Sequence, residues 1–527
     1  MKIPSRIAAV VLALAAAIVV SGARGARAVG TTSHCAQHPP VMIKDGFPEP
    51  RMIFSRHGNL STTLTLAAGT TSIGRKSTRT ITYDGNLPGP VLVVCPGDHL
   101  AIKLANRLQE PTNLHLHGMH VSPLGNGDNV FIKINPGQTF AYSYHIPDDQ
   151  PAGSYWYHPH YDPLVDTQTG GGAAGAILVE GRIDNYLANI PQRLIVIQGG
   201  FGFGNPIPEP GEPGPGPLVV NGVVNPTLKI RPGQVQRWRI FNATSDRFLK
   251  LSLGGQSFTV LAEDGNTLHR TLREQALLIP PGSRREVLVR GGATGRYQLS
   301  AVPFQQVQGI AEPEETLLTV LSSGRHATQA LPTGPLPYDL GDLRSAHVDV
   351  NRTIVYGIMP MPSGSPAFTL NGMTFDPNRV DVTMQLGSVE QWTLENPTNQ
   401  WHTFHIHQNP FQVISVNGHA VKYIDWEDNV ALPPGNTVVV RIHPTDFTGK
   451  FVFHCHVQFH EDHGMMAVVQ VVRHLTPAEA RPSVVRDGAL LIASSANLTN
   501  GPYRKPAIIS TSLLLVYECH LSFRSSV

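Results

Sequence analysis

The chain has 527 residues, and its 40 basic and 38 acidic side chains give a formal net charge of +2. A charge so close to zero argues against a general attraction to nucleic acid or to an anionic membrane surface. The length favours about three domains. Glycine and proline are frequent, with 50 and 44 residues, and short Val/Ile/Leu/Thr runs lie between turn signals. This pattern is typical of an all-β protein.

The first 28 residues have the pattern of a secretory signal. Lys2 and Arg6 precede an apolar run at residues 7–20, and an Ala-Arg-Ala sequence at 26–28 provides a cleavage site. The apolar run is too short to span a bilayer. We therefore expect residues 1–28 to be a signal peptide. The mature protein is expected to be a periplasmic or secreted monomer without a membrane span.

The chain contains four cysteines, Cys35, Cys95, Cys455 and Cys519. In an oxidising compartment a disulfide between Cys35 and Cys95 is chemically allowed. The sequence leaves this pairing open, because it does not give the distance between the two Cα atoms.

An internal repeat organises the chain. Three segments carry a glycine followed nine residues later by an asparagine, with the glycines 136 and 154 residues apart: Gly97 to Asn106, Gly233 to Asn242 and Gly387 to Asn396. This period suits a β-sandwich domain that occurs three times. We expect the three domains at residues 29–183, 184–335 and 336–475. A C-terminal extension of unknown role follows at residues 476–527.

Cys455 lies in a stretch that is rich in metal-binding side chains. His460 follows it by five residues and Met465 by ten. A thiolate, an imidazole and a weakly bound thioether are three of the four groups of a blue-copper site. His402 supplies the missing nitrogen, because strand alternation places it on the opposite face from His405. The sequence thus predicts a blue-copper site in the third repeat.

Eight further histidines form four pairs, each with one residue between its members. The pairs are His115/His117, His158/His160, His405/His407 and His454/His456. They occupy matching positions of the first and third repeats, whereas the second repeat has Leu251, Leu253, Ser300 and Val302 there. Alternate residues of a strand share one face, so each pair points in one direction. Eight imidazoles that meet between the first and third repeats could hold three more copper ions.

These motifs resemble those of the multicopper oxidases, specifically the three-domain, laccase-like bacterial group. The resemblance covers residues 45–473 and rests on the ten histidines, the cysteine and the methionine named above. It implies an all-β chain of three consecutive cupredoxin-like Greek-key β-sandwich domains. It also implies four bound copper ions, one of type 1, one of type 2 and two of type 3.

The resemblance further assigns a ligand set to each ion. The type 1 ligands are His402, Cys455, His460 and Met465. The type 2 ligands are His115 and His405. The type 3 ligands are His117, His158, His160, His407, His454 and His456.

The function implied by the resemblance is a laccase-type oxidation. Phenols or aromatic amines give single electrons to the type 1 copper, and O2 is reduced to two waters at the other three ions. An alternative is oxidation of cuprous or ferrous ion in metal detoxification, to which a total of only ten methionines gives little support. A copper-free structural protein on the same fold, or a copper nitrite reductase, does not need so complete a ligand set.

Two carboxylates are candidate general acids. Protons must reach the copper cluster as the oxygen–oxygen bond breaks, so acidic side chains are expected beside it. Glu461 directly follows a type 1 ligand and resembles an acidic residue found there in bacterial members of the family. Asp128 lies eleven residues after His117 and resembles the acid that follows the first histidine motif.

Overall fold

The computed structural model describes residues 42–199, 201, 216–332, 334–338, 340–361 and 365–475. These residues form 34 β-strands and three short helices, which confirms the prediction of an all-β chain. The expected signal peptide, Cys35 and the C-terminal extension lie outside the described residues. In the part of the chain that is described, no helix is long and apolar enough to cross a membrane.

The first sandwich is built from a five-stranded sheet, β1-β4-β9-β8-β6, and a four-stranded sheet, β3-β2-β5-β7. Its strands are β1 Met52–Phe54, β2 Asn59–Ile73, β3 Lys76–Tyr83, β4 Gly89–Val94, β5 His99–Asn106, β6 His115–His117, β7 Thr139–His145, β8 Gly153–His158 and β9 Gly175–Val179. Leu100, Ile102 and Leu104 alternate along β5 and face the core between the sheets. Helix α1, Val165–Gly170, precedes β9, and α2, Arg182–Tyr186, follows it.

The second sandwich pairs a six-stranded sheet, β11-β10-β13-β18-β15-β16, with a five-stranded sheet, β12-β22-β19-β14-β17. Its strands, including the separate hairpin β20-β21, are β10 Gln192–Gln198, β11 Val219–Val220, β12 Thr227–Ile230, β13 Val235–Asn242, β14 Leu249–Leu253, β15 Phe258–Glu263, β16 Asn266–Glu274, β17 Ala276–Ile279, β18 Arg284–Arg290, β19 Gly295–Ala301, β20 Phe304–Val307, β21 Ile310–Glu312 and β22 Glu315–Ser322. Leu251 and Leu253, which replace histidines, are fully buried in its core.

The third sandwich pairs the sheet β24-β23-β26-β32-β28-β29, with β30 beside β28, and the sheet β25-β34-β33-β27-β31. Its strands are β23 Val350–Met359, β24 Ala367–Leu370, β25 Val382–Gln385, β26 Glu390–Asn396, β27 His402–Ile406, β28 Phe411–Val416, β29 His419–Ala420, β30 Trp426–Glu427, β31 Asn429–Leu432, β32 Asn436–Ile442, β33 Gly449–His454 and β34 Met466–Val472. Helix α3, Gln458–Asp462, lies between β33 and β34. The three pairs of sheets lie within the predicted domains, whose limits stay a prediction.

The repeated asparagine is buried in each sandwich and makes the same kind of hydrogen bonds there. The Nδ2 group of Asn242 donates to the carbonyl oxygens of Arg247 and Ile279 at 2.7 and 2.9 Å. Asn106 and Asn396 make the corresponding pairs of bonds to two carbonyls. Buried carbonyls need such donors, because an unpaired one costs free energy. This shared hydrogen-bond pattern accounts for one fixed position of the sequence repeat.

We expect Asn242→Ala to lower the free energy of unfolding of the second sandwich by about 2–4 kcal/mol, because two buried carbonyls lose their donors. Denaturant titration followed by the fluorescence of buried Trp238 measures the change. Gln298→Ala, at an exposed position of β19, is the control and should stay within about 0.5 kcal/mol of the parent. An equally small change for Asn242→Ala would contradict this role.

Candidate metal centre

Two antiparallel strand pairs bring the four histidine pairs into register. In the first sandwich β6 pairs with β8, so that His115 lies opposite His158. In the third sandwich β27 pairs with β33, so that His405 lies opposite His454. The second histidine of each pair lies two residues further along the chain, and all eight imidazoles are buried, with at most 2 % of each residue exposed. Each outer sandwich therefore presents four imidazoles.

The two sets of imidazoles meet at the interface between the first and third sandwiches. The ring of His115 stacks on that of His407 with centroids 3.7 Å apart, and His117 stacks on His405 at 3.8 Å. We call the resulting group the histidine cluster, and its members are His115, His117, His158, His160, His405, His407, His454 and His456. Two stacked pairs that cross the interface give the cluster an approximate two-fold arrangement.

Within the cluster, ring nitrogens converge at the spacing of ligands to a shared ion. The Nε2 atom of His454 lies 3.1 Å from Nε2 of His160 and 3.3 Å from Nε2 of His407. Nitrogens bound at 2.0–2.1 Å to one tetrahedral ion lie about 3.3 Å apart. Two other groups of three have ring nitrogens within 4.8 Å of one another, namely His115/His117/His158 and His115/His405/His407.

The protonation of these rings also fits a metal site. Seven of the eight imidazoles have a buried ring nitrogen that finds no hydrogen-bond partner among the described residues, and the exception is His454. Burial and the neighbouring imidazoles lower the pKa of His115 and of His407 well below the ordinary value for histidine. Neutral imidazoles are the form that binds a metal ion. Because unpaired buried polar atoms are costly, a bound cation accounts for this arrangement better than an empty core does.

Asp428 holds two members of the cluster in position. Its Oδ1 atom lies 2.9 Å from Nε2 of His117, and its backbone oxygen lies 2.6 Å from Nδ1 of His405. Arg284, from the second sandwich, donates to both carboxylate oxygens of Asp428 at 2.8 and 2.6 Å. All three sandwiches thus meet at this residue. Such partners fix which ring nitrogen faces the metal.

The second sandwich also touches the cluster directly through Gly282. This residue has a φ of 89°, which is in the left-handed region. A Cβ atom at this position would lie 2.9 Å from ring atoms of His456. Only glycine therefore combines this backbone conformation with such a close approach to the imidazole.

The two predicted acids both lie against the cluster. Asp128 is fully buried, and its Oδ2 atom lies 2.9 Å from Nδ1 of His115. Glu461 is also fully buried, with carboxylate oxygens 2.9 Å from Nδ1 of His454 and 3.3 Å from Nε2 of His160. Burial raises the pKa of each carboxyl to about 7. At neutral pH each group can therefore either hold or release a proton.

A second group of candidate metal ligands includes Cys455. We call this group the cysteine site, and its members are His402, Cys455, His460 and Met465. The Sγ atom of Cys455 lies 3.6 Å from Nδ1 of both His402 and His460, and these two nitrogens are 3.1 Å apart. A sulfur at 2.3 Å and nitrogens at 2.0–2.1 Å from one ion give separations of about 3.3–3.6 Å. The three atoms thus form a triangle of the size that one ion requires.

The cysteine site is enclosed by apolar side chains. Met465 and Cys455 are fully buried in the core of the third sandwich, and the Cys455 amide donates to the Met465 carbonyl. Phe368 stacks on His460 with ring centroids 4.1 Å apart. Burial raises the pKa of Cys455 to about 12, so its thiol needs the charge of a bound metal to ionise. Cys455 is a free cysteine, whereas Cys95 is disulfide-bonded.

Several supporting residues were not predicted from the sequence. Asp428, Arg284 and Gly282 carry no local signal of a metal site, and Arg284 and Gly282 belong to the repeat that has no paired histidines. A bidentate ion pair between the second and third sandwiches is visible only once the domains are placed together. The paired histidines that signal a metal site lie in the outer repeats, and the middle repeat has none of these pairs.

A cavity of about 700 Å³ opens at the interface between the first and third sandwiches, and His160 forms part of its lining. The apolar part of the lining includes Phe131, Phe375 and Met466. Asp162 lines the cavity together with His160. Burial and the charge of Glu461 raise the pKa of Asp162 to about 6. The cavity therefore borders one member of the histidine cluster.

Comparisons with known proteins agree with this geometry. Family models described as multicopper oxidase match residues 65–184, 187–322 and 347–474. The multicopper oxidase mco of Staphylococcus aureus is 29 % identical over 434 residues, covering 79 % of this chain and 90 % of that protein.

Two solved structures are also similar. A multicopper oxidase from Campylobacter jejuni, described as a metallo-oxidase, is 25 % identical with a TM-score of 0.69, covering 84 % of this chain and 98 % of that one. A laccase-like multicopper oxidase from Ochrobactrum sp. is 25 % identical with a TM-score of 0.70, covering 81 % of this chain and all of that one. The family models together match more than half of the chain, and the chain belongs to the multicopper oxidase family.

Proposed function

We propose that the protein couples the one-electron oxidation of small phenols or aromatic amines to the four-electron reduction of O2 to water. The observation that supports this most strongly is the pair of buried ligand sets joined through one short segment. Cys455 belongs to the cysteine site, while its two neighbours, His454 and His456, belong to the histidine cluster. Electron entry and O2 reduction are thus assigned to two sites whose residues are direct neighbours in the chain.

Four copper ions fit the ligands that the chain provides. His402, Cys455, His460 and Met465 would hold one ion, and the eight imidazoles of the histidine cluster would hold three. Copper bound there would supply one-electron redox chemistry at the cysteine site and O2 reduction at the histidine cluster. The Cys455 main chain and side chain provide a continuous covalent path between the two sites.

The protein's own acids have separate roles in this proposal. Glu461 lies between His454 and His160, and neither of its carboxylate oxygens has a hydrogen-bond partner among the described residues, so it is placed to deliver protons to oxygen at the cluster. Asp128 forms a hydrogen bond with Nδ1 of His115 and also accepts a hydrogen bond from the backbone N–H of Leu116. Its contacts make it mainly an orienting group, and its raised pKa allows it to exchange a proton as well.

We expect Glu461→Gln to slow O2 reduction by about 10²- to 10⁴-fold, because the amide cannot donate a carboxyl proton. Stopped-flow mixing of the reduced protein with O2 measures the rate. Copper content and blue absorption should match the parent, which separates proton delivery from ligand loss. Glu314→Gln, at an exposed position of the second sandwich, is the matched control. An unchanged reoxidation rate in Glu461→Gln would remove Glu461 from the mechanism.

A second candidate substrate is the cuprous ion, and one structural observation favours it. Met359, Met361 and Met373 are exposed by 38, 47 and 49 % on or beside the β23-β24 hairpin. Phe368 of this hairpin stacks on His460 at the cysteine site. Soft thioether side chains select cuprous ions. Although the total number of methionines is small, three of them lie on or beside the hairpin whose Phe368 stacks on His460.

Oxygen uptake with a phenol and with cuprous ion, each tested separately, distinguishes the two substrates. If phenols are the substrates, we expect phenol oxidation to be the faster reaction and to be unaffected in a Met361→Leu/Met373→Leu variant. The control variant is Met52→Leu, in the first sandwich. A cuprous turnover far above that of every phenol, reduced in the double variant and unchanged in the control, would replace phenols with cuprous ion in this proposal.

We also propose that the protein acts outside the cytoplasm, either in the periplasm or after secretion. The N-terminal pattern at residues 1–28 supports this location, as does the disulfide at Cys95, since disulfides persist in oxidising compartments. N-terminal sequencing of the mature protein tests it, with cleavage after Ala28 as the expected result. A mature chain that retains Met1 would contradict the proposal.

A further inference from the structure

His120 joins the first sandwich to the third. Its Nδ1 atom lies 2.5 Å from the backbone oxygen of Gln408, and its Nε2 atom lies 2.7 Å from Oδ1 of Asp446. A carbonyl and a carboxylate only accept hydrogen bonds, so both contacts form together only when both ring nitrogens carry protons. The arrangement therefore binds His120 as a cation.

The surroundings of His120 favour this charged form. Its side chain is only 15 % exposed, and it packs on the ring of Phe447 with centroids 4.9 Å apart. The charged groups that face it are Asp446, from the loop after β32, and Asp149, from the loop after β7. Burial alone would lower the pKa of His120, but these carboxylates and the Gln408 carbonyl raise it above the ordinary value. The same contact lowers the pKa of Asp446 despite its partial burial.

Gln408 connects this contact to the histidine cluster. It is a buried residue with a φ of 67°, in the left-handed region that residues other than glycine rarely adopt. Its side-chain amide donates to Oδ2 of Asp128 at 3.1 Å, and the same oxygen lies 2.9 Å from Nδ1 of His115. The hydrogen bond from His120 thus restrains Gln408, whose backbone conformation is strained. Gln408 in turn holds Asp128, which is the partner of the proposed copper ligand His115.

We propose that protonated His120 is a pH-dependent clasp between the first and third sandwiches and positions His115 through Gln408 and Asp128. The clasp is complete below the ordinary histidine pKa of about 6.5. It is lost as the pH rises through the higher pKa of His120 in the folded protein. The clasp itself does not depend on the proposed function. The positioning of His115 as a copper ligand does rest on the proposed function.

Thermal unfolding of the full-length protein at several pH values tests the clasp. We expect His120→Gln and Asp446→Asn each to lower the unfolding midpoint by about 2–5 °C near pH 6. The double variant should fall no further than either single variant, since one interaction is lost in all three. As the pH rises through the raised pKa of His120 in the folded protein, the differences from the parent should shrink and disappear, because the parent loses the same proton there.

The control is His347→Gln, whose side chain is 89 % exposed and lies 3.9 Å from Asp349. It removes a histidine next to an aspartate without a contact between sandwiches, and it should leave the midpoint unchanged at every pH. Two results would contradict the clasp. One is a decrease in the unfolding midpoint of the His120 and Asp446 variants that is equally large at low and high pH. The other is a decrease in the double variant that equals the sum of the two single decreases. Asp446 is half exposed, so its variant has little reason to misfold.

Electron paramagnetic resonance of the copper-loaded protein tests the positioning of His115. Copper affinity at the type 2 site should weaken by roughly tenfold in the parent as the pH rises, and in His120→Gln it should be weak at every pH. A pH-dependent stability difference without any change in the type 2 signal would overturn the positioning of His115. If copper is not bound at all, the proposed function fails, and the unfolding data still decide the clasp.

Discussion

Cys455→Ser should abolish both the blue colour and the oxidase activity of the copper-loaded protein. The Sγ atom of Cys455 lies 3.6 Å from Nδ1 of His402 and of His460, so the substitution removes the thiolate on which a blue-copper site depends. Copper content should fall from about four to about three per chain, because the histidine cluster keeps all its ligands. Absorption spectroscopy, metal analysis and O2 uptake measure the three quantities.

His456→Ala is the matched control for this substitution. It changes the next residue of the chain, which faces the histidine cluster rather than the cysteine site. Blue absorption should persist in His456→Ala, while O2 reduction should stop because the cluster has lost a ligand. A Cys455→Ser protein that stays blue would show that a different group of residues forms the site.

Asp428→Asn should destabilise the protein and deplete the histidine cluster of copper while leaving the blue site intact. The substitution leaves Arg284 as a buried cation without its bidentate partner, which costs about 3–5 kcal/mol of unfolding free energy. It also weakens the contact that orients His117, and the loss of such an orienting partner lowers metal affinity by about 10- to 100-fold. Thermal unfolding and copper titration measure the two effects.

A double variant, Arg284→Met/Asp428→Leu, separates these effects. Removing both charges takes away the buried cation that had lost its bidentate partner, so stability should return to within about 2 kcal/mol of the parent. The ring of His117 still lacks its partner, so copper affinity at the cluster should stay low. If Asp428→Asn retains parental stability and full copper content, the ion pair between the second and third sandwiches has neither of these roles.

Some local features of each sandwich follow from regularities that the sequence contains. Gly97, Gly233 and Gly387 have φ values of 86, 74 and 82°, so the repeat marks a backbone conformation that favours glycine. The alternation of side chains along a strand likewise assigned His402 and His405 to opposite faces, and in the structure they lie in different sites. Both regularities act over a few residues and can be read without knowing the fold.

The contacts between sandwiches do not follow from such local regularities. The interaction of Arg284 with Asp428 joins residues 144 positions apart, and that of His120 with Asp446 joins residues 326 positions apart. Neither pair has a fixed spacing or a periodic pattern, because each depends on how whole domains pack against each other. That packing is the sum of many apolar contacts, such as those in the buried cluster that contains Val91 and Trp156 of the first sandwich and Phe241 of the second.

The amino-acid sequence by itself determined the all-β class, the threefold repeat and the matching positions of the histidine pairs, because these follow from local periodicity, turn chemistry and residue spacing. Only the tertiary structure decided how the middle sandwich supports the histidine cluster. Arg284 reaches Asp428 and Gly282 reaches His456 because three domains converge there. The position of a domain is set by surface complementarity over its whole interface rather than by any short segment.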